Sequence, residues 1–204
     1  MLKKLNLEKI QKILREKDIA IFSPEELARL FRASRNSVNF FLSYHLKEGF
    51  FIKLRNGLYV LSCELPPEQL IANRLYEPSY LSLEYALAHY QLIPEAVYEI
   101  TSVTTRATRE FDVHGKKYRY HRFKKHYFTG YHTEKIEGHT VRIADPEKAL
   151  VDYLYFVDLG KKSLNERLSL RGIQKKELLR YASFFKREGL RELIKGLLCL
   201  KKNK

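Results

Sequence analysis

The side chains in this chain whose types and spacing best suit chemistry lie between residues 34 and 56, and the chemistry is recognition. Arg35, Asn36, Ser37, Asn39 and Ser43 follow Ser34, a good helix N-cap. At 100° per residue, Val38, Phe41, Leu42 and His45 fall on one side, with Leu46 at its margin, while Asn36, Asn39, Phe40, Ser43 and Lys47 point the opposite way. Asparagine is a middling helix former, so two in the opening turns call for a reason other than helix stability. Their amides match the donor and acceptor pair on an adenine edge, and Arg35 suits guanine or phosphate.

Gly49 is placed to end that helix, and "FFIKLRNGLYVL" follows with Asn56-Gly57, a strong two-residue hairpin signal. A simple two-residue turn pairs Leu54 with Tyr59 and Ile52 with Leu61 on an apolar face. Lys53 and Arg55 then lie on the other face near the tip. Upstream, residues 5 to 14 carry a helical apolar stripe, and "SPEELARLF" begins a second helix with Ser23 as cap, Pro24 in first position and Glu26 closing a capping box. Three helices and a basic-tipped hairpin follow the order of a winged helix-turn-helix. In that arrangement Arg35, Asn36, Ser37, Asn39 and Ser43 read the major groove, and Lys53, Arg55 and Asn56 hold the backbone through the wing.

Catalytic readings find little support. A metal-dependent nuclease needs an acid followed by a Glu-x-Lys strand; Asp145 and Glu147-Lys148 have the residue types, but their spacing is wrong and they open a helix. Five of the histidines, His114, His121, His126, His132 and His139, show no HxxxH or HExxH spacing, and Cys63 and Cys199 form no CxxC. No phosphate-cradling glycine loop is present. The expectation is a protein with no catalytic residues, no metal and no cofactor.

The charge balance points to a polyanion. The 204 residues carry 38 Lys+Arg against 24 Asp+Glu, a formal net charge of +14. The excess is uneven: residues 105 to 132 hold 8 basic and 2 acidic side chains, and residues 161 to 204 hold 14 and 4. Arg106, Arg109, Lys116, Lys117, Arg119, Arg122, Lys124 and Lys125 therefore form a candidate second surface for an anionic partner. No apolar run approaches a membrane span, and "MLKKLNLEKIQKIL" lacks the pattern of a secretion signal, so a cytoplasmic protein is expected.

The expected fold class is α+β, with a winged helix-turn-helix over residues 1–65 and a larger mixed domain over 66–204. Pro66 and Pro67 mark the boundary. In the second part, helices are expected at 67–92, broken by a "YEPSY" turn and restarted by Ser82. Strands are expected across 97–143, with a turn at His114-Gly115-Lys116, and helices from 146 to 200. Asp145 caps the first of these last helices, which turns Ala149, Leu150, Tyr153 and Leu154 inward.

The order of "PSYLSLEYALAHYQL", "TSVTTRATREF" and "VRIADPEKALVDYL" after a winged helix resembles the AbiEi family of antitoxins, transcriptional regulators of bacterial abortive-infection toxin-antitoxin systems. The resemblance runs from about Ile10 to Leu198. It rests most on Tyr80-Leu81-Ser82 with Ala86-Leu87 and on Asp145 to Asp152; Gln91, where such sequences often have Gly, departs from it. It implies an N-terminal domain that represses its own operon by binding inverted repeats in double-stranded DNA. It implies also a C-terminal domain that opposes a nucleotidyltransferase-like toxin, in type IV fashion, without a need for direct contact. The competing expectation is a non-enzymatic protein- or RNA-interaction module whose winged helix is scaffold and whose partner binds between Arg106 and Lys125.

Overall fold

The computed structural model describes residues 5–200. They form a mixed α+β protein with two sheets, and the chain divides into two compact units, Met1–Leu75 and Tyr76–Lys204. The division falls later than the expected 65/66 boundary because the helix after Pro67 is tied to the first unit: the Arg55 Nε–H donates to the Leu75 carbonyl (2.7 Å), and Arg74 pairs with Glu26 (3.3 Å). Among the described residues no helix is long and apolar enough to cross a membrane.

The first unit starts with α1, Leu7–Glu16, whose first turn is capped by Asn6 accepting from the Lys9 N–H. After the short strand β1, Ile21–Phe22, helix α2 spans Pro24–Phe31. The expected capping box is formed, with the Glu26 N–H on Ser23 Oγ and the Ser23 N–H on Glu26 Oε2. Ser34 caps α3, Arg35–Lys47, by accepting from the Ser37 N–H. That helix ends in a Schellman turn: Gly49 takes φ +78°, its N–H donates to Leu46, and the Phe50 N–H donates to His45. A three-stranded antiparallel sheet completes the unit, in the order β1, β3 (Leu58–Leu61), β2 (Phe51–Arg55). Ile10, Leu14, Phe22, Leu27, Val38 and Leu42 meet in its core.

The hairpin register differs from the expectation. Arg55 pairs with Leu58 across Asn56-Gly57, but Lys53 pairs with Tyr59 and Phe51 with Leu61. A bulge between Lys53 and Arg55 takes up the extra residue. It lets Leu54 and Phe51 both reach the core, which regular alternation from a two-residue turn would not allow.

Helix α4, Glu68–Leu75, ends the first unit. In the second, the "YEPSY" segment is not merely a turn. Ser79–Leu81 is strand β4, fully buried near the middle of a six-stranded sheet. Helix α5 spans Leu83–His89, followed by β5 (Ile100–Thr104), β6 (Arg109–Val113) and β7 (Lys116–Arg122). The His114-Gly115 turn joins β6 to β7 as expected. A 3-10 turn at Lys125–Tyr127 replaces the expected end of the Tyr-rich strand, and β8 (Tyr131–Ile136) precedes β9 (His139–Ala144). The sheet order is β6-β7-β5-β4-β9-β8, with β4/β9 and β5/β7 parallel.

The expected helical run from 146 to 200 is interrupted. Helix α6 spans Pro146–Asp158, the chain then runs irregularly to residue 174, and α7 (Lys175–Ser183) and α8 (Glu188–Leu200) follow. Residues 201–204 lie outside the described residues. α6 is more deeply buried than its amphipathic pattern implies: besides the expected Ala149, Leu150, Tyr153 and Leu154, it buries Lys148, Val151 and Asp152. The sheet lies against one side of it, and α5, α7 and α8 pack around it.

Tyr80 of β4, Val103 of β5 and His121 of β7 align across the sheet on the face that meets α6. The His121 ring packs on Phe156 (4.9 Å between centroids), and its buried Nε2 has no hydrogen-bond partner. Burial, together with the charges of Lys162, Arg119 and Lys161, holds this imidazole at a pKa of about 4. The unfolded chain, with an ordinary histidine near 6.5, therefore takes the proton first as pH falls. Stability is expected to drop between about pH 6.5 and pH 4, by up to about 3 kcal/mol from this group. In denaturant melts across that range, His121→Phe should flatten the acid limb; an unchanged limb would show that His121 does not cause it.

Candidate nucleic-acid interface

The unequal faces of α3 follow from the packing of the first unit. Val38, Phe41 and Leu42 are buried against α1, β1 and β2, and His45 sits beside the Phe41 and Phe51 rings. Every residue of the opposite face is solvent-exposed: Asn36, Ser37, Asn39, Phe40, Ser43, Tyr44 and Lys47. From Arg35 to Lys47 the helix contains no acidic residue.

Within this face, the exposed Arg35 guanidinium pairs with Glu25 of α2 at 2.5 Å, both partners being well hydrated. Such a pair is worth about 0–1 kcal/mol, so a phosphate or base edge can compete for the guanidinium. The Ser37 hydroxyl is within 2.8 Å of Ser34 Oγ, so its first commitment is to the helix start. Of the hairpin residues, Lys53 and Asn56 are exposed, whereas Arg55 serves the fold: Nε–H donates to Leu75 and Nη1–H to the Asn56 carbonyl (2.9 Å). Its side chain is nevertheless exposed, so the backbone contact expected of it stays a proposal beside these bonds. Tyr44 was not singled out from the sequence, although it lies one turn beyond Phe40 on the flank of the same face.

The eight basic residues between 106 and 125 do not make one surface. Alternation along β7 sends Lys117 and Arg119 to one face of the sheet and Lys116 and Arg122 to the other. Arg119 is held by Glu110 (2.9 Å) and Glu99 (3.1 Å). Arg106 donates to the Glu77 carbonyl and lies over the Tyr76 ring, and Arg109 lies over Phe111. Lys124 and Lys125 are exposed beyond the strand. In the C-terminal basic stretch several cations are likewise paired, among them Arg167 with Glu95 and Lys162 with Glu84.

The motif segments of the second unit converge on one buried network. Lys148 and Asp152, one turn apart on α6, form an ion pair with no solvent exposure. Asp152 Oδ2 accepts from the Tyr80 hydroxyl (3.0 Å) and from Ser82 Oγ (2.8 Å), and Lys148 Nζ also donates to the Tyr80 oxygen (3.0 Å). The rings of Phe123, Phe185 and Tyr80 stand 5.1 to 5.6 Å from the ammonium. Burial pushes the Lys148 ammonium below its ordinary pKa and the Asp152 carboxyl above its own, and the mutual attraction opposes both.

This network changes two expected caps. The Ser82 hydroxyl is committed to Asp152, and Thr101 of β5 takes over at the start of α5, accepting from the Tyr85 N–H and donating to the Ser82 carbonyl. Asp145 makes no capping bond at α6; its carboxylate accepts from the Tyr181 hydroxyl (2.5 Å) and pairs with His132 Nδ1 (2.7 Å). Gly130, at φ +74°, passes so close to Tyr181 and Lys148 that a Cβ there would lie 2.5 Å from the tyrosine ring.

Among the described residues no group of three or more His, Cys, Asp or Glu side chains is placed to hold a metal ion, and Cys63 and Cys199 are free and exposed. No family model matches the chain, and no curated protein matches it.

The network's energetics are testable. Lys148→Met leaves a buried carboxylate without its counter-ion and should destabilise the protein by about 3–5 kcal/mol. Adding Asp152→Leu to that variant should recover much of the loss, since no charge then remains buried. Denaturant titrations of both single variants and the double decide the point: a double-variant loss equal to the sum of the two single losses would show that the pair is not coupled.

Proposed function

We propose that this chain is a DNA-binding antitoxin of the AbiEi type, without catalytic activity of its own, that represses its own toxin-antitoxin operon. In this reading the first unit is a winged helix-turn-helix. α2 and α3 are its helix pair, joined by the short turn at residues 32–34, and the β2–β3 hairpin is its wing. The observation that carries the reading is the outer face of α3, where amide, hydroxyl and basic side chains stand in solvent on a helix whose inner face is locked into a core. That is the arrangement a groove-reading helix needs: rigid backing and an uncommitted face.

Asn36 and Asn39 are the proposed base readers, each matched to an adenine edge, with Ser43 beside them and Arg35 free to exchange Glu25 for DNA. Lys47, Lys53 and Asn56 supply backbone contacts. The second unit carries the antitoxic role against a nucleotidyltransferase-like toxin. The order of the Tyr80–Ser82, Thr101 and Asp145–Asp152 segments supports that likeness, and their meeting in one network explains why those short segments would travel together. The competing module reading, centred on Arg106 to Lys125, is weaker because Arg119 is neutralised by two glutamates and strand alternation divides its neighbours.

In polarisation titrations of the full chain against the DNA upstream of its own reading frame, Asn36→Ala and Asn39→Ala should each weaken specific binding by about 1–3 kcal/mol, with a scrambled duplex much less affected. Operator binding unchanged in both variants would remove α3 as the reader. Affinity should also fall steeply between 50 and 200 mM salt, as several phosphate contacts require. A flat salt response would contradict the backbone role given to the basic residues.

A further inference from the structure

The α3 face holds something that adenine reading does not use. Phe40 is 76% exposed and Tyr44 is 55% exposed, one helical turn apart, on a helix that buries Val38, Phe41 and Leu42. A single exposed aromatic needs no explanation, but two stacked along the centre and flank of the proposed reading face form an apolar strip there. Tyr44 is not loosely held: its ring packs edge-on against His45 (5.0 Å), whose Nδ1 is itself hydrogen-bonded to Glu48 (2.8 Å). Phe40 thus stands beside a fixed neighbour.

We infer that Phe40, backed by Tyr44, is a specificity-determining residue that covers the C5-methyl of a thymine in the major groove. This rests on the reading of α3 as the groove helix. The thymine methyl is the apolar feature that a base pair presents in that groove, and an aromatic or aliphatic side chain is its natural partner. The surroundings favour DNA over a second copy of the chain as occupant. Arg35 and Lys47 bracket the strip, no acid lies on α3, and the Glu25 partner of Arg35 is held only through a hydrated surface pair that a phosphate can displace, so a polyanion suits this face better than a second copy of it. Phe40 lies four residues beyond Asn36, a rise of about 6 Å, or roughly two base-pair steps. The operator should therefore carry a methyl-bearing thymine about two steps from the adenine that Asn36 reads.

The test uses the full chain and the duplex it selects from a randomised-duplex pool, with each thymine replaced in turn by deoxyuridine. Removing the buried methyl should weaken wild-type binding about fourfold at the contacted position. That position should lie near the base pair whose recognition is lost in Asn36→Ala. Phe40→Ala should bind thymine and deoxyuridine duplexes equally, whereas Phe40→Leu should keep part of the discrimination; thermal melts verify that both variants fold. If a specific duplex is selected but every deoxyuridine is tolerated, or if Phe40→Ala retains full sensitivity, the thymine contact is overturned and the adenine reading survives. If Phe40→Ala instead converts a dimer to a monomer with an unchanged deoxyuridine profile, the strip belongs to a second copy and the inference fails. Selection of no duplex at all overturns both this inference and the proposed function.

Discussion

A buried ammonium group must be neutralised within hydrogen-bonding reach, and in the second unit that requirement governs much else. Lys148 has no exposure to water, so Asp152 must lie one turn away on the same helix, and Asp152 in turn needs donors for its second oxygen. Tyr80 and Ser82 supply them from the end of β4, which fixes that strand against α6. β4 lies between β5 and β9, so the middle of the sheet is positioned with it. Asp145 and Gly130 extend the constraint: one binds Tyr181 of α7, and the other leaves room for that ring and for the Lys148 stem. The dense polar pattern of "DPEKALVD" is in this light an internal fastening.

The first unit solves a different problem. Its helix α3 is held from three directions, by Ser34 at its start, the Gly49 turn at its end and an apolar face packed into the core. With backbone and inner side chains fixed, the outer side chains are presented in a defined array while making few contacts of their own. Preorganisation of this kind lowers the ordering cost of binding, as the proposed reading of this face requires. Arg55 contributes to that rigidity by tying the hairpin to the end of α4, a use of arginine that a charge count alone would assign to phosphate.

Local signals were the legible ones. The capping box at Ser23, the cap at Ser34, the glycine stop and the division of α3 into two faces all depend on residues within a few positions of each other. Signals that depend on distant partners were not legible. β4 is only three residues long and reads as a turn because Pro78 precedes it; its burial comes from β5 and β9. β8 lies inside the span where strands were expected, but it is polar and mostly exposed, so its bounds come only from its pairing with β9. Residues 161–174 share the Lys, Arg and Leu content of the helices that follow, which hid the irregular stretch. Lys148 and Asp152, at i and i+4, look in sequence like any surface helical pair, and Ser82 and Asp145 look like caps; each is diverted by a partner many residues away.

The most direct test of the central claim is to map, residue by residue, the amide chemical shifts of the full chain as the upstream duplex is added, with a scrambled duplex as control. The account predicts perturbations on α3 from Arg35 to Lys47 and at the Lys53–Gly57 hairpin tip that the scrambled duplex does not reproduce. Perturbations confined to residues 106–125, with α3 silent, would contradict it.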